Sequence, residues 1–245
     1  MSIKGLVGLL ATLFSFALQV SPIPEVIDGF RKGDIKNLTV SYFMTGISQA
    51  LFWIGYAVRI NDLYILTPNI TVTILFGIYM NSLIYIKKRY NLFYILNPII
   101  IIGVYLIVKY LPEHVCDTSG TIISFVWQST NSETLRLALR YHDQAYINFL
   151  VSLISWTDFV LFWVYALMIH GYIMFIPNFY GFIINSINLY LYFWAGGYFA
   201  ENNCFVNMLK TLLRTDNIEP SDNTNPVLKS NIDYDNSKEV FMNKI

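Results

Sequence analysis

Two asparagines, Asn69 and Asn178, each follow a proline inside an otherwise apolar stretch: Tyr64 to Asn69 reads YILTPN and Tyr172 to Asn178 reads YIMFIPN. Proline removes a helical hydrogen bond, and an amide in hydrocarbon is penalised unless it finds a partner. A carboxamide offers a donor and an acceptor without charge, which suits a ligand whose hydroxyl groups do both. Each Pro-Asn follows an aromatic cluster, Phe52-Trp53-Ile54-Gly55-Tyr56-Ala57 in one case and Phe162-Trp163-Val164-Tyr165-Ala166-Leu167 in the other. Trp53 precedes Asn69 by 16 residues and Trp163 precedes Asn178 by 15, an offset of about 110 positions between the halves. The chain reads as two copies of one design, with a site between them.

Two acids fall in apolar surroundings. Asp158, in Ser155-Trp156-Thr157-Asp158-Phe159, has no basic neighbour in its own segment, and an acid within a membrane span is a functional candidate by default. It reads either as a proton site or as a hydrogen-bonded structural acid. Glu133 sits three residues before Arg136, so a local ion pair or hydration competes with a functional role there. The three histidines, His114, His142 and His170, show no Cys or acid spacing that suggests a metal, and no nucleophile elbow, zinc-protease or phosphate-loop motif is present. No cofactor and no enzyme chemistry is expected.

The elements that position these groups are membrane helices. Of 245 residues, 55% are hydrophobic and only 13% charged, which excludes an ordinary soluble domain. Apolar windows of about 20 residues fall at roughly 4–23, 38–58, 63–86, 92–112, 146–169 and 172–199, and a seventh, 116–138, carries the polar run Gln128 to Glu133. The expected fold is an all-α membrane protein of seven transmembrane helices, two parallel three-helix-bundle repeats joined by a linker helix (3+1+3). Its divisions are a first repeat over 1–90, the linker over 91–113, a second repeat over 114–200 and a polar, disordered cytosolic tail over 201–245. The first helix is expected to end at Ser21-Pro22-Ile23-Pro24, before a polar link from Asp28 to Lys36.

Basic residues set the orientation. With the N-terminus outside, ten of them (Arg31, Lys32, Lys36, Lys87, Lys88, Arg89, Arg136, Arg140, Lys210 and Arg214) face the cytosol, and only Lys4, Arg59 and Lys109 face out. The apolar start is expected to be retained rather than cleaved, because no small-x-small site precedes Gln19. Cys116 and Cys204 fall on opposite sides and form no disulfide; zero formal net charge argues neither for nor against a nucleic-acid partner, but no basic face or nucleic-acid motif is present and membrane burial speaks against one. The end, Phe241-Met242-Asn243-Lys244-Ile245, carries no retention or lipidation signal, so the plasma membrane is the default and an internal membrane the alternative.

Taken together, Ser21-Pro22-Ile23-Pro24 with its basic link, the Trp53 to Asn69 segment, Phe162 to Asn178 and Gly181-Phe182 make the chain resemble the eukaryotic SWEET sugar transporters of the wider MtN3 and PQ-loop group, from about Gly5 to Tyr198. The resemblance implies two triple-helix bundles, each ordered 1-3-2, with a sugar pocket between them. Asn69 and Asn178 match the family's pocket asparagines, Phe162 matches a helix-six pocket position and Leu51 a helix-two position; Trp163 and Asn131 complete the candidate sugar-binding set. Of four family prolines only one stands here, the positions reading Pro22, Val40, Asn131 and Asn148, so the candidate hinges are Pro22, Val40 and Asn148. Asp158 and Glu133 replace apolar or small residues and are kept as candidate proton sites. The implied function is facilitative, bidirectional transport of a mono- or disaccharide, with a monosaccharide such as glucose favoured by bulky Leu51 and Phe162. Membrane lipid surrounds it, and association of several copies fits the family. A proton-coupled carrier of the PQ-loop group and a non-transporting cargo receptor are the alternatives; no Pro-Gln dipeptide occurs in the chain.

Overall fold

The computed structural model describes residues 2–33, 38, 40–87, 99, 102–103, 105–106, 109–110, 112–130, 132–200 and 203–213. Every extended element among them is helical. Helix α1, Ile3–Val20, starts on Ser2, whose hydroxyl accepts from Gly5 N at 3.1 Å. Its buried face is Gly5, Gly8, Ala11, Thr12, Ser15 and Gln19, while Leu6, Leu9, Leu10 and Leu13 face outward. Small and polar residues inside with leucines outside is the pattern of a helix packed against helices in lipid. A Cβ on Gly8 would stand 2.7 Å from the Tyr64 ring, so close approach of the backbone requires glycine there.

Pro22 cannot donate to Leu18 O, and the helix breaks. Ser21 takes that carbonyl instead, through its N–H at 3.2 Å and its hydroxyl at 2.7 Å. The chain then turns helical again as α2, Ile23–Lys32, with Pro24 tolerated in the first turn, Glu25 near its start and Arg31 and Lys32 near its end, all favourable to the helix dipole. The expected polar link is therefore helical as far as Lys32. Gly33, at φ 71°, closes the helix with its N–H on Gly29 O. Residues 34–37 lie outside the described residues.

Helix α3, Val40–Ile60, and helix α4, Leu63–Lys87, are joined by the short turn the sequence suggests. Asp62 caps α4, its Oδ1 accepting from Tyr64 N at 2.9 Å and Ile65 N at 3.3 Å. Of the linker segment only scattered positions between Ile99 and Tyr110 are described, and they are helical. The linker as a whole lies outside the described residues.

The seventh window does not form one continuous helix. Helix α5, Glu113–Ser129, stops at Thr130, whose N–H and hydroxyl both turn back onto Trp127 O at 3.1 and 2.5 Å, and helix α6, Ser132–Tyr141, begins afresh. Asn131 itself lies outside the described residues. The polar run from Gln128 therefore marks a break like that at Pro22, made by hydroxyl competition for backbone carbonyls rather than by proline. After a 3₁₀ turn, Gln144–Tyr146, come helix α7, Phe149–Met168, and helix α8, Tyr172–Ala195, which contains Pro177.

Within residues 1–201, α4 packs between α1 and α3, and α8 between α5 and α7. The two triplets meet through α1 against α7 and α3 against α5. One apolar cluster, Phe43, Ile47, Phe76, Met80 and Leu83, belongs to the first triplet; a second joins both, with Ala11, Trp53 and Ile65 against Phe162, Tyr165 and Met174. Among the described residues, three stretches, Ile3–Lys32, Leu63–Ile86 and Phe149–Met168, are long and apolar enough to cross a membrane. A separate unit, from Asn202 on, holds helix α9, Cys204–Leu212, capped by Asn203 through Phe205 N at 3.0 Å. The expected disordered tail is thus helical at its start, where Val206 and Leu209 are buried; residues 214–245 lie outside the described residues.

Candidate functional site

The two interior prolines organise the site. Pro68 has no N–H to give to Tyr64 O one turn earlier; the Thr12 hydroxyl of α1 reaches that carbonyl at 3.1 Å. Pro68 O in turn accepts from Gln19 Nε2 at 3.1 Å. The second half repeats this with other residues: Thr121 reaches Ile173 O at 3.5 Å, below Pro177, and Gln128 Nε2 donates to Pro177 O at 3.0 Å. Asn69 Nδ2 donates to Ile65 O and Asn178 Nδ2 to Met174 O, both at 2.7 Å, which fixes each amide at its bend.

One offset carries Gln19 onto Gln128, Pro68 onto Pro177 and Asn69 onto Asn178. The same offset carries Trp53 onto Phe162, one residue short of the Trp53-to-Trp163 match that the sequence invites. The geometry agrees with the shorter offset. Trp53 and Phe162 both line a cavity of about 80 Å³, together with Asn69, Asn178, Gln19, Gln128, Ser15, Ser124, Trp127 and Asp158. Such a volume has room for several waters, each needing at least about 10–15 Å³ on this measure.

The structure brings Asn69, Asn178, Phe162 and Asp158 together around this cavity, and separates Leu51 and Trp163 from it. Leu51 packs on the first-half core cluster, because two residues along the helix turn it about 160° away from the inward Trp53 face. Trp163 instead packs against Phe175, Phe179 and Phe182 at centroid distances of 5.6, 5.4 and 6.0 Å. Glu133 has a described backbone only, in the first turn of α6. Among the hinge candidates, Pro22 stands at the α1–α2 break. Val40 opens α3 and Asn148 caps α7, its Oδ1 accepting from Val151 N at 3.1 Å, so neither interrupts a helix. Asn148 stabilises a helix start instead of loosening a helix interior.

Sequence reasoning passed over Gln19, Gln128, Ser15, Ser124 and Trp127. The signal was available: Gln19 ends an apolar run and Gln128 ends another, each the same distance before its Pro-Asn. Both side chains are buried. Gln19→Leu and Gln128→Leu each leave a buried proline carbonyl without its donor, an expected loss of about 1–3 kcal/mol, and the two losses should add because they lie in separate halves. Thermal unfolding of the detergent-solubilised protein measures this, with exposed Asn81→Leu as the neutral comparison. Unchanged midpoints for both variants would dismiss the tethers.

The cavity is tied across the halves. Trp53 Nε1 donates to Ser124 Oγ at 3.1 Å, and Tyr42 lies 5.7 Å from Trp127, ring to ring. At the end of α3 an ion pair joins Arg59 to Asp117, and Tyr165 OH donates to Asp62 Oδ2 at 2.6 Å. These last two contacts form a polar clasp at one end of the cavity, since Asp62 is already held in place as the α4 cap.

Among known proteins, residues 5–91 match the MtN3_slv family, described as a sugar efflux transporter for intercellular exchange. The chain is 22% identical over 200 residues to the bidirectional sugar transporter SWEET13 of Oryza sativa subsp. japonica, covering 76% of this chain and 67% of that one. It shares its fold with a eukaryotic SWEET transporter solved at 3.7 Å: the TM-score is 0.71 at 16% identity, over 79% of this chain and 97% of the other. With its long apolar helices, the chain is an integral, helical membrane protein. The family model and the rice relative point to one family, the SWEET transporters of the MtN3 group, and the solved structure has the same fold.

Proposed function

We propose that the chain is a passive, bidirectional carrier of a small sugar, built as seven spanning helices in a 3+1+3 arrangement and working by alternating access rather than by bond chemistry. The observation that carries this reading is the cavity between the halves, where Asn69 and Asn178 face aromatic Trp53 and Phe162. Hydroxyls find donors and acceptors in the carboxamides, and the apolar face of a sugar ring packs on the aromatic wall. Bulky Trp53, Trp127 and Phe162 favour a monosaccharide such as glucose over a disaccharide. The N-terminus lies outside and the C-terminus in the cytosol, in the plasma membrane by default and an internal membrane otherwise, with assembly of several copies as an added level.

The test is uptake of radiolabelled glucose and sucrose into cells that lack their own hexose carriers. Glucose uptake that exceeds sucrose uptake is expected, and equal rates would refute the size argument. A second reading is favoured by Asp158, buried in the cavity wall and joined to no ion pair among the described residues: a proton-coupled carrier. Collapsing the pH gradient with a protonophore separates the two, because a passive carrier continues and a coupled one stalls.

A further inference from the structure

The polar atoms in the cavity wall are unevenly matched. Gln19 Nε2 spends both hydrogens, on Ser15 Oγ and Pro68 O, each at 3.1 Å. Gln128 Nε2 faces Pro177 O at 3.0 Å. A carbonyl only accepts, so in both residues the NH₂ must face the proline and the amide oxygen must point elsewhere. Gln19 Oε1 and Gln128 Oε1 are buried and have no partner among the described residues, and the same holds for Asp158 Oδ1. Beside these acceptors, Trp127 Nε1 has no partner among the described residues, and the Asn69, Asn178 and Gln128 amides each carry a second hydrogen beyond the one bonded to a backbone carbonyl. All three acceptor side chains are more than nine-tenths buried, at 2%, 4% and 7% exposure. Burial of an unmatched acceptor is costly, so a ligand donor that reaches these three atoms is favoured. The offset that relates the halves places Gln49 opposite Asp158, and Gln49 also lines the cavity; the first half offers an amide where the second offers an acid.

Asp158 differs from the carboxamides around it in being an acid, and a neutral sugar brings it no charge of opposite sign. We infer that the cavity takes a sugar bearing a protonated amine, with Asp158 as its counter-ion and Gln19 Oε1 and Gln128 Oε1 as further acceptors. This rests on the sugar-carrier reading and specifies its substrate class. An ammonium has three donors and no acceptor, and a carboxylate shielded from water is its strongest partner. Among the described residues no Lys, Arg or His forms an ion pair with Asp158 that would compete.

The experiment is competition in cells that lack hexose carriers and express the full chain: unlabelled glucosamine, N-acetylglucosamine or glucose against labelled glucosamine and labelled glucose. N-acetylglucosamine has the same ring without the charge. Glucosamine is expected to compete at a concentration about tenfold lower than either neutral sugar, the margin between a charge-assisted and a neutral hydrogen bond. Asp158→Asn should erase that margin and Asp158→Glu keep part of it. Glucose transport with no preference for glucosamine in the wild-type chain overturns the inference and leaves the sugar-carrier reading intact. A preference that persists in Asp158→Asn overturns it as well, and a chain by which none of these sugars is carried and with which none competes removes both readings. Because the wild-type comparison needs no variant, a folding defect in either substitution does not decide the matter.

Discussion

Asn178→Ala is expected to abolish sugar flux while the protein still reaches its membrane in normal amount. Asn178 is half-buried in the cavity wall, one residue after Pro177, and its Nδ2 is held on Met174 O at 2.7 Å. Removing the amide deletes both a donor and an acceptor for the ligand, and two hydrogen bonds at about 0.5–1.5 kcal/mol each correspond to a loss of roughly five- to 150-fold. Folding should be spared, since alanine has the higher helix propensity and the side-chain bond lost is one to its own helix. Asn69→Ala should behave alike, because Asn69 makes the matching bond to Ile65 O. The measurement is uptake of labelled sugar normalised to the amount of protein in the membrane. Uptake at the wild-type rate in both variants would remove the asparagines from the mechanism.

A second large effect is expected from the polar clasp. Arg59 with Asp117 and Tyr165 with Asp62 join the two halves at one end of the cavity, so a carrier that opens there must part both pairs. In a chain carrying Arg59→Cys and Asp117→Cys, with native Cys116 and Cys204 replaced by alanine, a short cleavable thiol cross-linker should stop flux completely. Cleaving the link with a reductant should restore it. Undiminished flux in the fully cross-linked protein would show that this end stays shut throughout the cycle, contrary to alternating access.

The sequence revealed these groups to the extent that they contrast with their surroundings. Pro68-Asn69 and Pro177-Asn178 stood out as polar and helix-bending residues in apolar runs, and the structure places both asparagines in the cavity wall. The register between halves was harder to read, since matching Trp53 to Trp163 looks better by residue type than matching it to Phe162. Hydrogen bonds decide it instead: Gln19 to Pro68 O and Gln128 to Pro177 O share one offset, and side-chain donors to backbone carbonyls leave little trace in composition. Leu51 was misplaced for a related reason, as an apolar residue on a membrane helix reads the same whether it faces a cavity, a core or lipid. The break between α5 and α6 was hidden because Thr130 performs without a proline what Pro22 does with one.

The Thr and Gln tethers each close within their own half: Thr12 and Gln19 reach Tyr64 and Pro68, and Thr121 and Gln128 reach Ile173 and Pro177. Each bent helix takes these bonds from its own half. What unites the halves is the pairing of α1 with α7 and of α3 with α5, one contact made twice in opposite senses, as in the interface of a two-fold dimer. Seen this way the molecule is a heterodimer that happens to be one chain. The segment between its halves then acts chiefly by raising the effective concentration of one for the other.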